Sequence, residues 1–175
     1  IPLTKIEDSH YRFIMPDYDV TVVPGAYDWE WTSGNTICHL DNQGVFTVSA
    51  IAGTDGAMAD YTDQENAPWV SANVDDDITS VIVQPGVTVI GRKAFAYCDY
   101  ISSVSLPAGL LEIHYRAFDG CSRLSSITIP YTVTNVSVNA FHSWTGLAHV
   151  YNQAQAEGIS WGSSNADFIQ TDENW

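Results

Sequence analysis

One spacing constrains this chain more than any other feature. The pairs Ala94-Phe95, Ala117-Phe118 and Ala140-Phe141 recur with a constant 23-residue period. Five further columns keep the same register. Ile78, Ile101, Leu124 and Leu147 share one slot, Val81, Val104, Ile127 and Val150 a second, and Val83, Leu106 and Ile129 a third. Ile90, Ile113 and Val136 form a fourth, and Cys98, Cys121 and Trp144 a fifth.

Each unit reads apolar-x-x-apolar-x-apolar, and apolar positions two apart lie on one face of an extended strand. Gln84-Pro85-Gly86, Pro107-Ala108-Gly109 and Pro130-Tyr131-Thr132 then close each strand with a turn. The stretch between strands is long enough for a crossover, so equivalent residues superpose only if the strands stack in parallel. One unit cannot cover its own apolar side; stacking buries it, which is why such repeats come in runs of three or more with atypical ends. The expected fold is a β-rich solenoid: four parallel strands beginning near Ile78, Ile101, Leu124 and Leu147, with Phe95, Phe118 and Phe141 superposed inside.

The segments Ile90-Gly91-Arg92-Lys93-Ala94-Phe95-Ala96-Tyr97-Cys98 and Ala117 to Pro130 resemble the BspA-like leucine-rich repeats of bacterial surface proteins. The third unit departs from the pattern, with Trp144 in the Cys slot and His142-Ser143 in place of Asp-Gly, as in an end repeat. Cys38 to Ser49 alternates around an Asp-Asn-Gln-Gly turn and reads as a β-hairpin. With Gly56 to Tyr61 and Pro68-Trp69 it is similar to that family's amino-terminal β cap, which covers an open strand edge. Tyr11 to Val22 resembles the closing strand of internalin-type small β repeats.

The expected organisation is the end of a preceding β module or linker over 1–26, an N-terminal β-hairpin cap over 27–77, a leucine-rich-repeat solenoid over 78–151 and a C-terminal cap over 152–175. That last part holds a short helix, Gln153 to Glu157, and a strand near Asp167 to Gln170. The chain begins at Ile1 with neither an initiator Met nor a basic-then-apolar leader, and is expected to be a piece of a longer secreted or bacterial cell-surface protein.

With 175 residues, 45% of them apolar and 15% charged, the chain is globular rather than disordered. Six Lys and Arg face 21 Asp and Glu, for a net charge of −15, which repels phosphate backbones and excludes nucleic acid as a partner. No apolar run approaches the roughly 18 residues of a membrane span, so no membrane insertion of this piece is expected. The acidity is uneven: residues 1–77 carry 14 acids and 2 bases, residues 78–146 only 3 acids and 4 bases.

The sequence carries no recognisable catalytic or metal-binding motif. His10, His39, His114, His142 and His149 lack the spacing that places two ligands on one helix face. Cys121 is close to His114 in sequence but belongs to a core column, so it reads as a buried small hydrophobe rather than a nucleophile. The same holds for Cys98, and both are expected to be reduced. Asp75-Asp76-Asp77, with Asp63 and Glu65, offers oxygens for calcium but lacks the Asp-x-Asp-x-Asp-Gly loop. No cofactor and no metal are expected.

The informative surface is the strand face turned outward, which carries Thr79, Ser80 and Ile82, then Ser102, Ser103 and Ser105, then Ser125, Ser126 and Thr128, then Ala148, His149 and Tyr151. At about 4.8 Å per strand, four strands make a patch only about 15 Å tall. Ser and Thr also suit any exposed strand. The candidate ligand-binding residues are Ser103, Ser105, Ser126, Thr128, His149 and Tyr151. Two functions follow. The resemblance implies a non-catalytic adhesion or protein-protein interaction module engaging a host or neighbouring-cell surface protein. An exposed aromatic beside polar side chains would instead favour a glycan-binding module of a polysaccharide-processing protein. Trp29 and Trp31 have no place in the repeat pattern.

Overall fold

The computed structural model describes residues 4–7, 10–15, 18–23, 28–62, 66–143, 148–152 and 166–170, with side chains over 28–62 and 66–143. Asp63, Glu65, Trp144, Leu147 and the helix expected at 153–157 lie outside the described residues. The described chain is a mostly-strand repeat fold. Its strands are β1 (Thr4–Glu7), β2 (His10–Met15), β3 (Tyr18–Val23), β4 (Asp28–Ser33), β5 (Thr36–Leu40) and β6 (Val45–Ala50). After helix α1 (Pro68–Ser71) and a 3-10 turn at Asp75–Asp77 come β7 (Ser80–Val83), β8 (Val89–Ile90), β9 (Ser103–Ser105), β10 (Glu112–Ile113), β11 (Ser126–Ile129), β12 (Asn135–Val136), β13 (Ala148–Asn152) and β14 (Ala166–Gln170).

Three sheets result, in the orders β1-β2-β3-β4-β5-β6-β7-β9, β12-β10-β8 and β11-β13-β14. The first is antiparallel as far as β6 and parallel from there through β7 to β9. The hairpin expected around Asp41 to Gly44 is the β5–β6 pair, and β6 lies along β7 with Phe46 opposite Val81. The other two sheets are parallel throughout.

The sequence period is the register of the ladders. Val81 pairs with Val104, Ile127 with Val150, and Ile90 with Ile113, which pairs in turn with Val136. The strand expected near Asp167 is β14, where Ala166 lies opposite Ala148 at a shorter offset than that of the repeats.

The expected run of four parallel strands is interrupted, because β9 and β11 belong to different sheets. Proline removes one ladder bond at the end of each later strand. Gln84 donates its N–H to the Val48 carbonyl at 2.8 Å, extending the ladder one step beyond β7. The equivalent positions in the next two repeats are Pro107 and Pro130, which have no N–H to give.

The turns between the sheets carry their own hydrogen bonds. Phe95 donates to the Ala117 carbonyl, Phe118 to that of Ala140 and Tyr97 to that of Asp119, all at 2.7–2.8 Å. This geometry needs left-handed backbone at two recurring positions, Lys93, Arg116 and Asn139 (φ 55, 56 and 61°) and Tyr97, Gly120 and Ser143 (φ 64, 75 and 60°). Side chains rarely adopt that conformation, and the inter-repeat bonds hold it in place.

Inside lies a file of rings. Phe95, Phe118 and Phe141 stack at 5.4 and 5.8 Å, with interplanar angles of 12 and 5°. Phe95 continues into Trp69 and Phe46, and Phe46 into Trp31. Ile78, Ile101, Ile90 and Ile113 are fully buried beside them. Cys98 and Cys121 are free and buried, and burial pushes both thiols above their ordinary range. The Cys121 thiol lies 3.2 Å from the Phe95 carbonyl.

Candidate functional site

On the front strands Ser103, Ser105, Ser126 and Thr128 are all exposed. Among the described residues their hydroxyls make no hydrogen bond. Hydroxyls elsewhere in the repeats are engaged: Ser102 bonds to the Thr79 carbonyl, Thr132 to that of Leu110 and Thr134 to that of Leu111. The ladders place Ser103 opposite Ser80 and Ser105 opposite Ile82. They also place Ser126 opposite His149 and Thr128 opposite Tyr151.

Two exposed side chains that the strand pattern does not single out border it. Tyr100 and Arg123 occupy equivalent positions just before β9 and β11, and the Arg123 guanidinium lies 4.0 Å from the centroid of the Tyr100 ring. That is cation–π geometry. Tyr97 stands nearby in sequence with 59% of its surface exposed, its ring over Gly120, where a Cβ would come within 2.7 Å of the ring.

The structure also places the two unassigned tryptophans. Trp31 is buried, and Trp29 is half-buried and stacked on it at 5.9 Å with 3° between the planes. Trp29 lines a cleft of about 550 Å³ with Leu40, the turn Asp41 to Gly44, and Val74, Asp76, Asp77 and Thr79. Gly44 fixes its shape. At φ +82° a Cβ there would lie 2.6 Å from the Asp77 carbonyl, and the Gly44 carbonyl accepts the N–H groups of both Thr79 and Ser80. One carboxylate oxygen of Asp41 accepts the N–H groups of Gln43 and Val45 at 2.9 Å each.

A third cluster ties the segment after β6 to the repeats. His114 Nδ1 lies 2.7 Å from Asp60 Oδ1, and Nε2 lies 3.2 Å from Glu112 Oε2. Burial opposes charge on His114, but its bonds to Asp60 and Glu112 prevail and raise its pKa above the usual histidine value. Burial likewise opposes charge on Asp60, yet the Arg92 N–H at 2.6 Å and the His114 imidazole lower its pKa. The raised histidine contributes stability below about pH 6.5, lost as pH rises through its folded value. The lowered aspartate contributes above about pH 4, lost as pH falls. Between these limits wild-type protein is expected to be most stable relative to His114→Gln, with the advantage shrinking above pH 7. Urea midpoints of the two proteins from pH 5 to 9 measure this, and a constant difference would refute it.

Among the described residues no group of three or more His, Cys, Asp and Glu could hold a metal ion. Asp75 to Asp77 form the 3-10 turn, and burial, with repulsion from its neighbours, raises the Asp75 pKa.

A parallel repeat of constant register with an aromatic file defines a repeat-fold class, and comparison supplies the family. The model for the BspA type leucine rich repeat region matches residues 72–165 in six copies. The chain belongs to that family. A solved leucine-rich repeat protein from Eubacterium ventriosum aligns at a TM-score of 0.54 and 20% identity, over 79% of this chain and 43% of its own. One from Bacteroides capillosus aligns at 0.40 and 25% identity, over 70% of this chain and 97% of its own. A leucine rich cell surface protein from Faecalibacterium prausnitzii aligns at 0.29 and 16%, over 78% of this chain and 56% of its own. This chain thus spans less than half of the Eubacterium protein, and the likeness to it is one of fold. No curated protein matches.

Proposed function

We propose that this chain is a non-catalytic interaction module of a secreted or cell-surface bacterial protein, its strands forming a short solenoid with an N-terminal β cap over 27–77 and a C-terminal cap over 152–175. The partner is a protein on a host or neighbouring cell. Family membership supports this reading, and one observation carries it: the front strands hold exposed hydroxyls that make no hydrogen bond among the described residues, beside exposed Tyr100 and Arg123. Elsewhere the same residue types stitch neighbouring repeats together. Tyr and Arg carry much of the energy of protein interfaces, and exposed hydroxyls add adaptable hydrogen bonds.

Ser103, Ser105, Ser126, Thr128, His149 and Tyr151 are the proposed contact residues. Among the described residues no helix is long and apolar enough to cross a membrane. A face this small gives an isolated piece a micromolar or weaker Kd, which tandem modules in a longer protein would raise by avidity. Surface plasmon resonance against immobilised matrix and cell-envelope proteins is the test. Tyr100→Ala and Tyr151→Ala are each expected to weaken binding about tenfold, as loss of an aromatic anchor does. Binding that neither substitution changes would remove the front face from consideration.

A further inference from the structure

We infer that Tyr97 is the anchor for a cationic side chain, so that the partner presents lysine or arginine to it; this rests on the reading that the module binds a protein. Tyr97 puts a bulky ring at a position whose backbone suits a small residue. Its φ is 64°, in the left-handed region, and Gly120 and Ser143 hold the equivalent position in the next two repeats. Glycine adopts that conformation freely, whereas a bulky aromatic rarely does. The inter-repeat bond at this position runs from the Tyr97 N–H to the Asp119 carbonyl, and any residue but proline can supply it. Nor does the ring serve the core. It rests against Gly120, with 59% of the residue exposed, and among the described residues no other ring and no cation lies on it. Strained backbone of this kind collects at functional positions.

Charge sets the chemistry of the partner. Three residues on, the Tyr100 ring already takes the Arg123 guanidinium at 4.0 Å, a cation–π contact made within the chain. Tyr97 offers the same kind of face to a cation from outside. Between the two tyrosines Asp99 is exposed, and among the described residues its carboxylate makes no hydrogen bond or ion pair. The 3-10 turn lies within electrostatic reach: burial raises the Asp75 pKa, and Asp76, Asp77 and Asp99 add to the effect. Residues 28–77 carry ten Asp and Glu and no Lys or Arg, in a chain of net charge −15. An acidic partner would be repelled here, and an apolar one would leave Asp99 desolvated without a counter-charge. A lysine or arginine has both the Tyr97 ring and the Asp99 carboxylate to meet.

Fluorescence anisotropy tests this with fluorescein-labelled hexa-lysine, and with hexa-glutamate as the acidic arm, at about 0.15 M salt to screen long-range attraction. Hexa-lysine is expected to bind and hexa-glutamate is not. Tyr97→Gly introduces the residue that the next repeat carries at this position. It should weaken hexa-lysine binding about fivefold, as loss of one cation–π contact does, with a urea midpoint no lower than wild type. Tyr97→Phe keeps the ring and should bind as wild type does. Tyr131→Ala removes another exposed tyrosine of the repeats without changing charge, and should leave binding unchanged. Five results would overturn the inference: no hexa-lysine binding, equal binding of hexa-glutamate, binding unaffected by Tyr97→Gly, an equal loss in Tyr131→Ala, or a urea midpoint lowered by Tyr97→Gly. The front-face reading fails by a different route, through Tyr100→Ala and Tyr151→Ala in the resonance assay. A partner found there that ignores Tyr97→Gly would keep the module and remove only the cationic anchor.

Discussion

Phe118→Ala is expected to destabilise the protein by about 3–5 kcal/mol, the range for truncating a fully buried phenylalanine. Phe118 is fully buried and sits between Phe95 and Phe141, with nearly parallel rings on either side. Each neighbour belongs to a different repeat, and each repeat's backbone is fixed by the bonds from Phe95 to Ala117 and from Phe118 to Ala140. The flanking turns cannot close over a missing ring without breaking those bonds, so the cavity term should persist. Urea denaturation followed by tryptophan fluorescence measures it, with Ser126→Ala as a surface control expected to stay within about 0.5 kcal/mol of wild type. A loss below about 1 kcal/mol for Phe118→Ala would mean that the ring file does not close the interior.

The ring file is legible in the sequence because a phenylalanine recurring at one fixed position of every repeat admits few other meanings. Ile78 and Ile101, Val81 and Ile127, and Ile90 and Ile113 are legible for the same reason. Each column averages over several repeats, which suppresses local noise. What occurs once is harder to read. The sheet of β8, β10 and β12 has strands of only two residues, too short for any alternation to register, and only the column Ile90, Ile113 and Val136 hints at it. The prolines read as turn formers, which they are. Their second effect, removing the donor that Gln84 supplies in the first repeat, depends on the register of a neighbouring strand.

The cleft beside Trp29 is invisible in the sequence for a different reason. Gly44 and Thr79 are 35 residues apart in the chain and outside the period, and no local pattern predicts their contact. The hairpin turn reads as a turn and the acidic run as exposed; only their juxtaposition makes a concave surface. The bridge from Asp60 to His114 spans 54 residues and is hidden in the same way. Tyr100 and Arg123 differ, since the repeat offset makes their equivalence available. One is aromatic and the other charged, and a column of unlike residues does not stand out even where the two side chains stack.

Trp69→Ala should be the most damaging single substitution, at about 5 kcal/mol, the top of the range for a buried aromatic. Trp69 joins the antiparallel strands to the repeats. Its indole meets Phe46 at 4.7 Å and Trp31 at 6.0 Å on one side, Tyr61 at 5.9 Å and Phe95 at 5.7 Å on the other. It is fully buried, and its Nε1–H donates to the Ala94 carbonyl at 2.9 Å. Alanine would open a cavity among four rings and leave that carbonyl without its donor, a further penalty of about 1–3 kcal/mol if water cannot reach it. Trp69→Phe weights the two effects differently, because it keeps most of the ring contact and removes the donor with only the smaller part of the ring. It is expected to cost about 1–3 kcal/mol, well short of alanine. Urea midpoints of the three proteins decide the matter: a Trp69→Phe midpoint equal to wild type would show that the bond to Ala94 contributes nothing. A midpoint as low as that of Trp69→Ala would show that the phenyl ring does not preserve the packing of Phe46 and Phe95 around this position.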